Sequence, residues 1–300
     1  MPVAGVCRSG EMTDVTVLAP AKINLTLEVL GKRRDGFHEI RSVIQTINLC
    51  DSLCFQSGEE IEFRSDSPDW IAEKSLVSRA VALLQGATRC SKGVTIEVSK
   101  RIPLLSGLGG DSSDAAAVLR GLNRFWELGL SLEELLELAW QLGSDVAFFL
   151  YGGTVLAEGR GEIVTPLPPL PHMWVVLAMP PVPKLPGKTK RLYGALGANH
   201  FTDGQITRRL AEGLKESGEF TPSLLFNTFE NVAFTKFSGL DGSRDRMAKI
   251  AGAAVHLAGS GPALFTLVPD KARAGELYNN LNQQGLESYL TDTLAAIETI

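Results

Sequence analysis

Residues 94–117 pass from an alternating apolar segment through a glycine-rich turn into an alanine-rich segment. Val94, Ile96 and Val98 alternate with polar neighbours, which predicts a strand with one buried face. Ile102-Pro103-Leu104-Leu105-Ser106-Gly107-Leu108-Gly109-Gly110 follows, and Asp111-Ser112-Ser113-Asp114-Ala115-Ala116-Ala117 then opens a helix. A strand, a glycine turn and a helix in that order constrain the chain strongly. The first N–H groups of the helix lack intrahelical acceptors, and the positive end of the macrodipole lies behind them. Glycine has no Cβ to keep an anion away from the backbone. The turn is therefore expected to hold phosphate, and the chain to handle a phosphate ester or a nucleotide. Ser112 and Ser113 add hydroxyls at the cap, suited to phosphate or to Mg²⁺.

Two common owners of such a turn are excluded. The Walker A pattern needs Lys-Ser/Thr after its last glycine, but Gly110 is followed by Asp111-Ser112. The dinucleotide fingerprint, counted from Gly107, needs a third glycine where Ser112 stands. A second glycine turn, Gly259-Ser260-Gly261-Pro262, is not a nucleophile elbow, because Ala258 occupies the position of the elbow's first glycine.

The rest of the chain fits an α+β protein. Ile23, Leu25, Leu27 and Val29 alternate with Asn24, Thr26 and Glu28, predicting a half-buried strand with Lys22 on its polar face. Gly31 to Gly36 reads as a turn and Ile40 to Leu49 as the returning strand. Ser131 and Glu134 form a capping box before Leu132, Leu135, Leu136, Ala139 and Leu142, and Gly143 closes that helix. Tyr151 to Ile163 suits strands and a tight turn, and Pro166 to Pro171 is the clearest linker. Trp174 to Met179 reads as a buried strand and residues 205–250 as helical. Val255 to Val268 puts the second glycine turn between apolar runs, and Pro269-Asp270 opens a last helix. A division near Pro171 gives domains over 13–170 and 171–300, with residues 1–12 as an unstructured extension.

With 300 residues, 44% hydrophobic and 21% charged, the composition is that of a globular protein. A net charge of −5 argues against nonspecific nucleic-acid binding. No segment reads as a signal peptide or a membrane span, so a cytoplasmic location is expected. Cys7, Cys50, Cys54 and Cys90 have no zinc-ligand spacing and read as reduced thiols. From charge alone, Lys32-Arg33-Arg34 and Lys188-Thr189-Lys190-Arg191 are solvated basic turns. Nothing in the sequence sets an oligomeric state.

Three segments resemble the motifs of the GHMP kinases, in the family's order. They are Ala19-Pro20-Ala21-Lys22-Ile23-Asn24-Leu25, then Pro103 to Ala117, then Leu257-Ala258-Gly259-Ser260-Gly261-Pro262-Ala263-Leu264-Phe265. Two more, Arg34-Asp35-Gly36-Phe37-His38-Glu39-Ile40 and Gly143-Ser144-Asp145-Val146-Ala147-Phe148-Phe149, are similar to one branch of that family. That branch phosphorylates the C2 hydroxyl of 4-diphosphocytidyl-2-C-methyl-D-erythritol, a step of the non-mevalonate isoprenoid pathway. The resemblance implies a ribosomal-protein-S5-like first domain and a ferredoxin-like second one, with ATP and Mg²⁺ at the glycine turn.

The same resemblance assigns residues. Lys22 and Asp145 carry over as the catalytic pair. Lys100, Pro103, Leu104, Leu105, Ser106, Gly107, Leu108, Gly109, Gly110, Asp111, Ser112 and Ser113 carry over as the ATP site, with Ser112 or Ser113 near Mg²⁺. Asn24, Phe37, His38, Thr189 and Tyr193 carry over to the cytidyl substrate, Phe37 and Tyr193 as a sandwich around its ring and His38 on its edge. Read without the resemblance, Lys22 is a strand lysine, Asp145 a helix cap, and the aromatic residues are core. The sequence departs from the family pattern at Asp111, where glycine is frequent, and at Phe37, where tyrosine is usual. It departs again at Ser75, a common asparagine, and at Ala258, a common serine. A homoserine or mevalonate kinase of the same family, or a ligand sensor without turnover, are the rival readings. The branch-specific segments weigh against the first, and the presence of Lys22 and Asp145 against the second.

Overall fold

The computed structural model describes residues 14–183 and 187–297, so the expected extension at 1–12 lies outside the described residues. The elements run β1 (Val15–Asn24), β2 (Thr26–Lys32), β3 (His38–Gln56), β4 (Ile61–Ser65), α1 (Leu76–Thr88), β5 (Val94–Ser99), α2 (Gly110–Phe125), α3 (Leu132–Leu142), α4 (Ser144–Tyr151), β6 (Thr154–Gly159) and β7 (Ile163–Pro166). Beyond the proline-rich linker come β8 (Trp174–Met179), α5 (Lys188–Ala195), α6 (Gln205–Glu216), β9 (Phe226–Asn227), α7 (Glu230–Lys236), α8 (Leu240–Ala251), β10 (His256–Leu257), β11 (Leu264–Val268), α9 (Lys271–Gln283) and β12 (Glu287–Asp292). The α+β class expected from the sequence is the class observed.

The first sheet has eight strands, with β3 as its spine. β3 pairs antiparallel with β2 and β6 along its first half and with β1 and β5 towards its end. The second sheet is four-stranded and antiparallel, in the order β10-β11-β8-β12. Helices α1 to α4 cover one side of the first sheet, where Leu53, Phe55, Ile96, Leu119 and Phe148 form a core. A second cluster fills the space between the two sheets. There Ala21, Ile23, Leu25, Val43 and Ile47 meet Val175, Leu177 and Phe265.

This second cluster corrects the half-buried strand. The chain bends at Leu25 and continues as β2, and Asn24, Thr26 and Glu28 are all buried. Glu28 is held inside because its carboxylate accepts from Thr207 N at 2.7 Å in the first turn of α6. Thr26 Oγ1 accepts from Val43 N and from Thr207 Oγ1. The helical expectation for 205–250 is also revised, since β9 interrupts it and joins β2 in parallel.

Local signals shape the helices that present the site. Ser131 accepts from Glu134 N, and Glu134 Oε2 accepts from Ser131 N at 2.8 Å, so the capping box starts α3 as expected. Gly143 ends α3 and starts α4 directly, which puts Asp145 in the first turn of α4. A carboxylate there is favoured by the helix dipole. α2 is deeply buried, and Ala115, Ala116 and Ala117 let it lie close to the sheet.

Candidate active site

Three glycine-bearing or lysine-bearing segments converge on one place. Lys22 N donates to Leu108 O at 2.9 Å, tying β1 to the turn between β5 and α2. Ala263 N donates to Ser106 O at 3.0 Å, tying the second glycine turn to the first. The approach is close enough to need glycine. Gly107 has φ +91°, and a Cβ there would lie 2.2 Å from Ala258 O. A Cβ on Gly259 would lie 2.8 Å from Gly107 O and 3.0 Å from Lys22 Nζ. The three segments picked out in the sequence are therefore one structure.

Lys22 is nearly enclosed, and its Nζ donates to Asn24 Oδ1 at 2.7 Å and lies 3.6 Å from Asp145 Oδ2. Asp145 is the more accessible partner. Asn24 is buried, and its Nδ2 donates to Ser42 Oγ at 2.8 Å. Both ends of the Asn24 amide are thus engaged inside the protein. Asn24 thereby orients Lys22. The i, i+2 spacing of Lys22 and Asn24 on one strand face was the available signal.

On the glycine turn, Ser113 is fully buried and its hydroxyl donates to Pro20 O at 2.7 Å. This sets it against β1, away from the ligand side, so of the two serines only Ser112 keeps a partly exposed position. Ser106 is buried and accepts from Leu108 N, shaping the turn from within. Leu105 is exposed and sits at φ +59°, an uncommon conformation for a side chain of its size. A cavity of about 610 Å³ opens beside Ile102 to Leu105, lined also by Pro180, Val182 and Pro262.

Asp111 turns away from the phosphate side. Its Oδ1 accepts from Ser75 Oγ at 2.5 Å and from Leu76 N at 3.1 Å, so it caps α1 while standing in the first turn of α2. Two helix N-termini share one carboxylate, which answers why an acid is tolerated in a phosphate turn. Ser75 is its partner and also accepts from Val77 N.

Lys100 is held by two carboxylates. Its ammonium is buried between Asp51 and Asp114, with Asp114 Oδ2 at 2.6 Å and Asp51 Oδ2 closer still. Asp51 Oδ1 accepts from Ile102 N at 2.8 Å and from Arg101 N at 2.5 Å. Burial pushes the Asp114 carboxyl above its ordinary range, against the pull of Lys100. Lys100 is held above the usual lysine range because the two carboxylates outweigh its own burial. The cluster fastens the upstream end of the glycine turn to α2, and Lys100 also lines the cavity beside Ile102 to Leu105. Neither Asp51 nor Asp114 stood out in the sequence, since nothing in their spacing links them to Lys100.

On the substrate side, the His38 ring stacks on Tyr193 at 4.7 Å and 18°, and Tyr193 meets the edge of Phe229 at 4.8 Å. Burial, with Lys32 nearby, lowers the His38 pKa, which favours the neutral imidazole. Burial and the neighbouring Asp145 charge raise the Tyr193 phenol. His38, not Phe37, lies on the Tyr193 ring. Phe37 is 54% exposed, with the Arg160 guanidinium 4.7 Å over its face. Thr189 Oγ1 lies 2.9 Å from Ser260 Oγ, at the edge of the second glycine turn. Among the described residues no group of His, Cys, Asp and Glu is arranged to hold a metal ion by itself. No helix among them is long and apolar enough to cross a membrane.

The chain is an ATP-dependent small-molecule kinase on the strength of its relatives. The chain belongs to the GHMP kinase family: residues 75–153 match the family's N-terminal domain and residues 206–286 its C-terminal domain. It is 50% identical over 284 residues to the 4-diphosphocytidyl-2-C-methyl-D-erythritol kinase of Dehalococcoides mccartyi, covering 95% of this chain and all of that one. It is 39% identical to the enzyme of the same name from Enterococcus faecalis, covering 94% of this chain and 99% of the relative. A crystal structure of 4-(cytidine 5'-diphospho)-2C-methyl-D-erythritol kinase superposes with a TM-score of 0.79 at 32% identity, covering 93% of this chain and 99% of that one.

Proposed function

We propose that this kinase transfers the γ-phosphoryl group of ATP to the C2 hydroxyl of 4-diphosphocytidyl-2-C-methyl-D-erythritol. The observation that carries the reading is the Lys22–Asp145 pair, 3.6 Å apart at the glycine turn, with the His38–Tyr193 stack on its open flank. The relatives' shared activity supports the choice of substrate.

The N–H groups that open α2 face the nucleotide phosphates, and the cavity beside Leu104 and Leu105 gives the nucleotide room. Mg²⁺ fits as an ion carried in by the triphosphate, with Ser112 as a protein hydroxyl near it, because the described residues offer no carboxylate cage for it. Bound there, it neutralises charge on the phosphates. The base of the substrate is presented to His38 and Tyr193. A neutral His38 has one donor and one acceptor nitrogen for the pyrimidine edge.

Asp145 faces the acceptor hydroxyl and accepts its proton as the new O–P bond forms and the bridging β–γ bond breaks, with ADP as the leaving product. A tertiary alcohol is far more basic than a carboxylate, so the proton moves late, and Asp145 acts first by orienting the nucleophile. Lys22 lies beside it and its ammonium steadies the oxygens of the transferring group. The division into a nucleotide half, residues 13–170, and a substrate half, residues 171–300, belongs to the same reading, as does a cytoplasmic location.

The test is ADP release with ATP and the cytidyl alcohol, run against homoserine and mevalonate. Turnover confined to the cytidyl alcohol is expected. Turnover only with either of the others would overturn the substrate assignment. Nucleotide binding without any turnover would support a sensor.

A further inference from the structure

The basic run at 188–191 reads as a solvated turn in sequence, but its first residue is not solvated. Lys188 is partly buried, and its Nζ donates to Leu105 O at 2.5 Å and, more closely, to Gly261 O. It therefore stands between the two glycine turns, one from each half of the chain. The Leu105 carbonyl it takes belongs to a residue in a left-handed conformation, so the turn presents that oxygen in a strained geometry.

Charge balance separates Lys188 from the other lysines of the site. Lys100 has two carboxylates, and Lys22 has Asp145. Among the described residues Lys188 has only carbonyl dipoles, and Lys22 is close enough to repel it. Burial is the larger cause of its lowered pKa and Lys22 the smaller, which brings it to about 7. A cation kept partly buried without a counter-charge is costly to the protein alone. An ammonium also has three donors, of which two are engaged here. An arriving anion supplies both the missing charge and the missing acceptor.

We propose that Lys188 is a nucleotide-phosphate ligand: its third N–H, between the two glycine turns, takes an oxygen of the ATP polyphosphate. This rests on the proposed kinase reaction for its place in turnover, though not for nucleotide binding itself. The nucleotide is favoured over the diphosphate of the cytidyl alcohol because Lys188 is bonded to the phosphate turn. The pyrimidine side, at His38 and Tyr193, lies one to two turns further along α5.

The test uses Lys188→Gln, which keeps N–H donors for the two carbonyls and removes the charge, and Lys188→Arg, which keeps both. Calorimetric titration with ADP and AMP is combined with steady-state kinetics. Lys188→Gln is expected to weaken ADP about tenfold or more, leave AMP within about twofold, and raise KM for ATP by a similar factor, with Lys188→Arg restoring most of the loss. Wild-type ADP affinity in Lys188→Gln would overturn the proposal and leave Lys188 as a latch between turns. Equal weakening of AMP and ADP would overturn it as general distortion of the turn. A raised KM for the cytidyl alcohol with ATP unaffected would move the contact to that substrate and overturn it too. If the wild type fails to phosphorylate the cytidyl alcohol, the ADP-against-AMP comparison still decides the role of Lys188.

Discussion

Lys100 and Lys22 flank the same glycine turn, and their charges are balanced in opposite ways. Upstream, Lys100 is enclosed by Asp51 and Asp114, and Asp51 also takes the N–H groups of Arg101 and Ile102. On the other side, Lys22 has one carboxylate at 3.6 Å, on an accessible residue, and among the described residues Lys188 nearby has none. The closed cluster satisfies itself and anchors the backbone. The open one leaves Lys188, among the described residues, with carbonyl partners alone. On the reading proposed above, it is the unfilled charge balance, more than proximity to the turn, that makes a lysine a phosphate ligand.

This contrast is open to attack by mutation. The largest effects belong on the open side. Asp145→Ala and Lys22→Ala are each expected to cut kcat by about 10²- to 10⁴-fold while ADP still binds. Near-normal turnover in either variant would remove that residue from the chemistry. On the closed side, Lys100→Met leaves two buried carboxylates facing each other and should lower the unfolding free energy by about 3–5 kcal/mol, read by denaturant titration. A Lys100→Met protein of unaltered stability but raised KM for ATP would erase the distinction between the two flanks.

Smaller effects sharpen it. Tyr193→Ala should raise KM for the cytidyl alcohol about tenfold and KM for ATP far less, since base stacking on an aromatic ring is worth about 1–3 kcal/mol. Equal changes in both constants would mean that the ring supports the whole site. Asp111→Ala should cost about 1 kcal/mol of stability in urea, the loss of a helix cap, with Asp111→Asn retaining part of it. A gain in stability instead would show that Asp111 is repelled by its surroundings.

What the sequence revealed was local in character. The strand, glycine turn and alanine-rich helix sit within one short stretch, and the capping box of α3 needs only Ser131 and Glu134. The resemblance placed Lys22 and Asp145 in one site, and the structure brings them together. The features that escaped depend on what lies across the fold. Asn24, Thr26 and Glu28 have the alternation of an exposed face, yet α6 and the second sheet bury that region. Asp111 stands where glycine is frequent, and its partners Ser75 and Leu76 lie about 35 positions away in sequence. Lys188 had the signature of a solvated run, because a short run of basic residues carries no mark of which carbonyls will meet it.

The two-residue strand Phe226–Asn227 gives the protein a particular history each time it is made. It completes the first sheet by pairing with β2, and Thr228 Oγ1 accepts from Val29 N across 199 positions of chain. Synthesis at about 5–20 residues per second leaves that edge of β2 bare for on the order of tens of seconds after it emerges. Leu294 N closes on Thr46 O later still. The nascent first half is thus a sheet with an unpaired border, the kind of border that other chains can join. Its last strand is delivered from the same region of chain that brings the second glycine turn, so the sheet and the active site are finished together.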